Sequence, residues 1–408
     1  MKPIKIVIEG DFIDCQIYRG RLYLWTINGN LCVYDWDLLV NYFAEFKSRD
    51  YTALQYAFIN GRSLYIDPLK SLFEDKDFRT LLFNKFKSIE SSCLYLNQYE
   101  SKKFLIGEMD VPTHKLPIDT EIYSNKLYFA TEDGLFKTTA HRKNDKYPVS
   151  SKPQKLWDAR VLSIKANKFP QIAISAGSDG LYELNNSDEE NLKMLYNDEF
   201  SEEEKNIFKI SQKHSSFANY SYLSIYSTSL YGESYLAYFD WNEKLKNEEK
   251  YRRQWKQEYS ESDFFKNNYK PTLSWGIDGR IFKLTDNGFE TVKFNKSMSD
   301  VEKSFLYPLL NVNNNDVIGG TSTYFGNIVE YADSLLVVQT DDDCFRINGP
   351  ITRWRTYPRS RNYENQLHVI LDNCIEIYSF NHDFFLSQED KKVGIEFIEM
   401  PTFKTRVA

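Results

Sequence analysis

One short unit recurs along this chain and restricts its fold more than any other feature: an alternating apolar strand, a tight turn rich in Asp, Asn or Gly, and a second alternating strand. It reads RLYLWTINGNLCVYDW from Arg21, KLYFATEDGLFKTT from Lys126, QIAISAGSDGLYEL from Gln171, TLSWGIDGRIFKL from Thr272, LLVVQTDDDCFRI from Leu335 and LHVILDNCIEIYSF from Leu367. A looser seventh copy, YLSIYSTSLYGESYLAYFDW from Tyr222, keeps both strands but lacks the short turn. Alternation with period two puts one face of each strand in a core, and the turn residues join the strands as a β-hairpin. Gly29, Gly134, Gly180 and Gly279 can take a positive φ, and the Asn28, Asp133, Asp179 and Asp278 that precede them are the preferred short polar partners. Asp341-Asp342 and Asp372-Asn373 stand in for them in the last two copies.

Another short strand precedes most hairpins, as in DFIDCQIY (Asp11 to Tyr18), DTEIYS (Asp119 to Ser124), ARVLSIKA (Ala159 to Ala166) and GNIVEYA (Gly326 to Ala332). Segments such as FETVKF near Phe289 supply a fourth. A meander of three or four strands repeated over tens of residues implies radial stacking. A β-sandwich would also show short strands and turn residues, but one hairpin pattern repeated along the whole chain favours a closed ring. The expectation is an all-β fold: a single seven-bladed β-propeller over residues 1–408, with helical insertions. Ring closure is expected from pairing of Pro3–Ile8 with Val393–Met400 in a shared blade.

These units resemble the blades of the broad WD40-like β-propeller superfamily. The resemblance lies in fold rather than motif: no GH dipeptide precedes a blade, and Tyr34-Asp35-Trp36 and Phe239-Asp240-Trp241 only echo the strand-end signature. It implies a propeller and no particular family within that group.

Composition narrows the function classes. The net charge of −7 argues against a general phosphate-tracking surface. Five cysteines, Cys15, Cys32, Cys93, Cys344 and Cys374, form no CxxC pair and signal neither a disulfide framework nor a zinc site. Acidic residues interrupt the N-terminus before a signal-peptide core develops, and nowhere do 18 apolar residues run together. The expected setting is the cytoplasm, without membrane, metal or cofactor.

Three stretches break the blade rhythm. Within residues 37–90, the sets Leu39, Tyr42, Phe43, Phe46 and Phe78, Leu81, Leu82, Phe86, Ile89 have helical spacing, with Asp77 as a cap for the second. This reads as a helical insertion between the first two blades. Residues 187–206 hold eight acidic residues and two lysines and read as an acidic insertion, a solvated run or a dock for a basic partner. Residues 242–259 (NEKLKNEEKYRRQWKQEY) read as an exposed charged helix, with Tyr251 and Trp255 four apart.

Catalytic motifs are absent: there is no GxSxG, HExxH, GxxxxGK[ST] or GxGxxG, and the five histidines are scattered singly. The run Asp341-Asp342-Asp343 lacks the spacing of a calcium loop and reads as a turn. Asp11, Asp119 and Asp158, with Asp263 as a further candidate, stand where inner strands begin and form a candidate acidic channel mouth, set against a role in capping those strands. The strongest basic feature is ITRWRTYPRSRNY from Ile351, in which Arg353, Arg355, Arg359 and Arg361 are interleaved with Trp354 and Tyr357. Arginine beside aromatics suits phosphate clamping or base stacking, and a charged edge strand explains the same residues. The leading functional expectation is a non-catalytic intracellular scaffold that binds a protein partner. The alternatives are a nucleic-acid or phosphate-ligand binder using the arginine patch and, third, a propeller enzyme using channel carboxylates.

Overall fold

A computed structural model of the chain describes residues 2–46, 50–64, 69–110, 115–140, 149–150, 152–167, 171–185, 206–221, 223–241, 253–265, 271–293, 305–307 and 317–395. Its strands form seven separate sheets, antiparallel but for one parallel pair at the edge of the last, each a meander of four consecutive strands apart from the first and last. The chain is a seven-bladed β-propeller.

The innermost strands of blades one to seven are Phe12–Tyr18, Asp119–Tyr123, Ser163–Ala166, Phe217–Ser221, Pro271–Ile277, Val317–Thr323 and Arg353–Thr356. Closure is visible in the core itself. The buried apolar residues fall into seven clusters, and each bridges two neighbouring blades. Tyr23 and Trp25 meet Leu127 and Phe129 between blades one and two. Phe325 and Val337 meet Leu367 and Val369 between blades six and seven. The seventh joins blades seven and one through Ile370, Ile377, Leu22 and Leu24. Both faces of each sheet are therefore covered, which explains why strands such as Gln171–Ser175 and Ser334–Gln339 are buried along their whole length.

The ring is locked by the N-terminus. Ile4–Glu9 pairs antiparallel with Cys374–Ser379 as the fourth strand of blade seven. Val393–Met400, the expected partner, does not fill this role. Val393 and Ile395 pack into the core between blades five and six, and residues 396–408 lie outside those described. A fifth strand, Cys93–Leu96, adds parallel to Ile4–Glu9.

That strand belongs to the helical insertion, which lies inside blade one rather than between blades one and two. Helices Trp36–Phe46, Tyr51–Phe58, Leu69–Glu74 and Lys76–Ser88 separate the third strand, Asn30–Asp35, from the fourth, Leu105–Asp110. Leu39, Phe43, Leu82, Phe86 and Ile89 pack into the cluster between blades seven and one, while Tyr42 and Leu81 remain exposed. Polar side chains of blade seven reach the end of the second helix: Gln366 donates to the Phe58 carbonyl at 2.9 Å and Ser379 to that of Ala57 at 2.7 Å. The cap of the last long helix is Asp75, which accepts from the backbone N–H groups of Asp77 and Phe78; Asp77 sits in the first turn.

Two other expectations change. In residues 242–259, Arg253–Ser260 forms the outer strand of blade four and no helix, because its alternation pairs with Tyr235–Trp241. Arg253 is buried there on Glu183, at 2.8 Å. The preceding residues, like 187–205 of the acidic insertion, are outside those described. The quoted hairpins also occupy different places in their blades. Most join second and third strands, but the one from Thr272 joins first and second, and the one from Leu335 joins third and fourth. Any turn of a meander has the same local chemistry. Gly326–Tyr331 is accordingly the second strand of its blade, and Gly288–Lys293 the third of its own.

Candidate functional site

The short inner strand of blade seven, RWRT from Arg353, determines what fills the channel. Its period of two turns Arg353 and Arg355 towards the ring axis. Trp354 faces the other way and packs against the core between blades six and seven. Arg355 reaches Asp14 with two hydrogen bonds, Nε to Oδ1 at 2.9 Å and Nη2 to Oδ2 at 2.7 Å, and Asp119 with Nη2 to Oδ1 at 2.6 Å. The planar guanidinium fork matches this bidentate demand.

The two carboxylates are well partnered in turn. Asp14 sits just past a bulge in the inner strand of blade one, is fully buried, and also accepts from Thr120 Oγ1 at 2.8 Å. Asp119 accepts from the Ile164 N–H of blade three at 2.8 Å. Burial alone would raise the pKa of Asp119, but Arg355 and Arg353 outweigh it and hold the carboxyl below its ordinary value of 3.8. Arg359 crosses the channel from the loop after the strand and donates to the carbonyls of Ala166 and Tyr220, the latter at 2.8 Å. The arginine segment of blade seven thus ties itself to blades one, two, three and four.

The candidate residues separate on this geometry. Asp119 and the pair Arg353 and Arg355 come together, although they entered as two different features. Asp11 is exposed one residue before its strand, Asp158 is exposed beside Lys155, and Asp263 caps a short helix by accepting from Ser260. Tyr357 turns towards the buried His368, its hydroxyl 3.4 Å from Nδ1. Arg361 is exposed on the loop. Burial pushes the Cys15 thiol up to about 12 and the His368 imidazole down to about 3, so neither is poised for chemistry near neutrality.

This charged plug divides the channel into two cavities. One, of about 380 Å³, opens on the face where the inner strands begin, here the near face, and is lined by Lys165, Phe217, Asn219, Trp275, Gly319, Glu330 and Arg353 among others. The other, of about 440 Å³, opens on the far face between Tyr18, Tyr123, Asn167, Arg359 and Tyr363. Sequence reading passed over Asp14, Lys165, Glu330 and Trp275. Asp14 carried a signal, since with Gln16 it is a polar residue on one face of the otherwise apolar strand FIDCQIY. Among the described residues, no group of three or more His, Cys, Asp or Glu side chains is placed to hold a metal ion.

No protein-family profile and no curated protein matches the chain. Solved structures with some likeness include the WD40 β-propeller domain of Doa1, at 8% identity over 95% of both chains with a TM-score of 0.41. BBS1N, solved in complex with ARL6DN, is 9% identical over 92% of this chain and 93% of that one, with a TM-score of 0.45. BamB from Moraxella catarrhalis is 9% identical over 92% of this chain and 82% of that one, with a TM-score of 0.39. At these identities the likeness bears on neither ligand nor partner.

Proposed function

We propose that this propeller is a non-catalytic intracellular scaffold that docks a protein partner on its near face. The observation that carries this reading is where large apolar side chains are left in water. Thirteen are exposed among the described residues. Seven belong to the helical insertion and the segment that returns from it. The other six, Ile27, Leu116, Phe217, Leu230, Tyr231 and Ile318, all lie where inner strands begin or where second strands turn into third ones, which is the near face. None of these six lies on the far face; the other seven sit on the insertion, which leaves blade one at its far end and packs on the far-end residues Gln366 and Ser379 of blade seven. Tyr231 is 84% exposed and stands edge-on to His214 in the same loop region. Outside the insertion the exposed apolar groups gather on one surface, the pattern of an interaction site, and tyrosine is a frequent anchor there.

The channel chemistry fits this reading better than catalysis. A general acid or base needs a carboxyl poised near the working pH, whereas Asp119 is held ionised by Arg355. Arg353 and Arg355 are turned inward, so a nucleic-acid strand laid on the surface would meet Arg359 and Arg361 first. All five cysteines are free thiols, in keeping with a reducing compartment. Among the described residues no helix is long and apolar enough to cross a membrane.

The test is affinity purification from the native host, comparing wild type with a Leu230→Ser, Tyr231→Ser double variant of unchanged melting temperature. A stoichiometric protein partner held by the wild type should be lost by at least about tenfold, the loss expected when an interface anchor worth roughly 1.4 kcal/mol or more is removed. Full retention of the partner by the variant overturns the near-face reading. Recovery of nucleic acid in place of a protein supports the arginine alternative instead.

A further inference from the structure

We propose that the near-face cavity is a binding site for a small molecule with a flat apolar body and an oxyanion group, the body against the Trp275 wall and the oxyanion at Lys165 and Arg353. This goes beyond protein docking, since the cavity is recessed into the channel and has its own chemistry.

The wall formed by blades five and six is built from glycine, and a larger residue there would force its neighbours to move. A Cβ on Gly276 would stand 2.3 Å from Cβ of Tyr226, one on Gly319 would stand 2.5 Å from Glu330 Oε2, and one on Gly320 would stand 2.9 Å from Trp275 Cζ3. The result is a smooth surface of backbone beside the indole of Trp275. That indole is fixed: it stacks on Phe282 with planes 11° apart, and its N–H donates to Ser322 Oγ at 2.9 Å. A rigid aromatic edge in a half-open cavity of about 380 Å³ suits a ligand of modest size, because little freedom remains to be lost on binding.

The opposite wall is under-compensated in charge. Asp119 is engaged by Arg355, and among the described residues Arg353 has no carboxylate oxygen nearer than 3.7 Å. Arg353 donates from Nη2 to the Ile118 carbonyl, and its Nε finds no hydrogen-bond partner among the described residues. Lys165 is 3.5 Å from Glu121, a loose contact. Burial raises the carboxyl of Glu330, which also lines the cavity, above its ordinary value, and this weakens it as a counter-charge. Lys165 and Arg353 remain 29% and 30% exposed. Both line this cavity, Lys165 also bordering the far one, and an oxyanion bound there supplies a charge partner that the fold withholds, through hydrogen bonds of the stronger, charge-assisted kind.

The experiment uses the full chain and four probes, benzoate, phenyl phosphate, the neutral isostere benzamide and the peptide N-acetyl-Phe-Glu-amide, followed by titration calorimetry and saturation-transfer NMR at low salt. Benzoate or phenyl phosphate should bind at least about tenfold more tightly than benzamide, a preference worth about 1.4 kcal/mol. Lys165→Gln and Arg353→Gln, made separately on different blades, should each erase that preference. Lys165→Gln preserves the test if the arginine variant does not fold. Equal binding of benzamide, no binding of any probe at millimolar concentration, or a folded Lys165→Gln protein with the preference intact overturns the proposal. Tighter binding of the peptide than of either small anion overturns it too and assigns the cavity to a docked protein's acidic side chain. Loss of the protein partner in the near-face double variant, or its retention, leaves this result unaffected.

Discussion

Replacing Arg355 with methionine keeps most of the side chain's length and deletes the charge that Asp14 and Asp119 share. Both carboxylates stay where the backbone puts them, Asp14 fully buried and Asp119 5% exposed. In the native protein three contacts of 2.6 to 2.9 Å compensate them. A charge pair about 4 Å apart is worth on the order of 4 kcal/mol at an effective dielectric constant near 20. Removing one member of a buried pair typically costs roughly 3–5 kcal/mol, because the remaining charge is left without a partner. The expected loss for Arg355→Met at pH 7 is therefore in that range, measured by urea and thermal denaturation followed by circular dichroism. Two further measurements separate charge from packing. Adding Asp14→Asn and Asp119→Asn to Arg355→Met should restore most of the loss, since no buried carboxylate is then left charged and Arg353, 30% exposed, keeps access to water. The pH dependence has a definite sign as well. In wild type Asp119 is depressed below 3.8, so its contribution is present above that value and lost as pH falls through the lower folded one. Without Arg355, burial weighs more heavily on Asp119 and its folded value rises, so the penalty is full at neutral pH and shrinks on acidification. The gap between wild type and variant should narrow from pH 7 to pH 4. A constant gap, a loss below about 1 kcal/mol or a triple variant no better than the single one would refute the argument.

Other perturbations test other parts of the frame. Burial lowers His368 from 6.5 to about 3, so the unfolded chain binds the extra proton between those values; stability should fall with acidification there by up to about 1.4 kcal/mol per pH unit, and His368→Gln should flatten the slope. Parallel profiles for the two proteins would discard that assignment. Gly134→Ala places a Cβ 1.9 Å from the Trp157 carbonyl at a φ of +136°, and should cost more than about 3 kcal/mol in a denaturant melt. Gly29→Ala, at a φ of +84° with nothing within 4 Å, should cost only about 1 kcal/mol, and equal losses would contradict the contact argument. Deleting residues 1–9 removes the closing strand and the fully buried Ile6 and Ile8 with the nearly buried Ile4, each worth about 2 kcal/mol, so the melting midpoint should drop by at least about 10 °C. An unchanged midpoint would show that the ring does not depend on this closure.

Local chemistry in the sequence was sufficient for the blades. A short turn and a period-two strand are decided within about a dozen residues, so the positive φ values at Gly29, Gly180 and Gly279 and the seven-fold repetition could be read directly from the chain, although only Asp278-Gly279 of these is a two-residue turn. The same local chemistry cannot say which turn of a four-stranded meander a hairpin occupies, and the copies from Thr272 and Leu335 differ from the rest for that reason. Closure depended on competition between distant strands. Cys374–Ser379 and Val393–Met400 both offer apolar alternation, and only the packed ring selects the first. The arginine run was conspicuous as a motif, yet its meaning rested on pairing. Arg355 meets a carboxylate 341 residues away, and whether a charge is satisfied or available depends on what the fold sets beside it rather than on its neighbours in sequence. Tertiary structure alone decided that Arg355 closes the channel while Arg353 and Lys165 face a cavity, because burial and the distance to counter-charges exist only once the blades have closed.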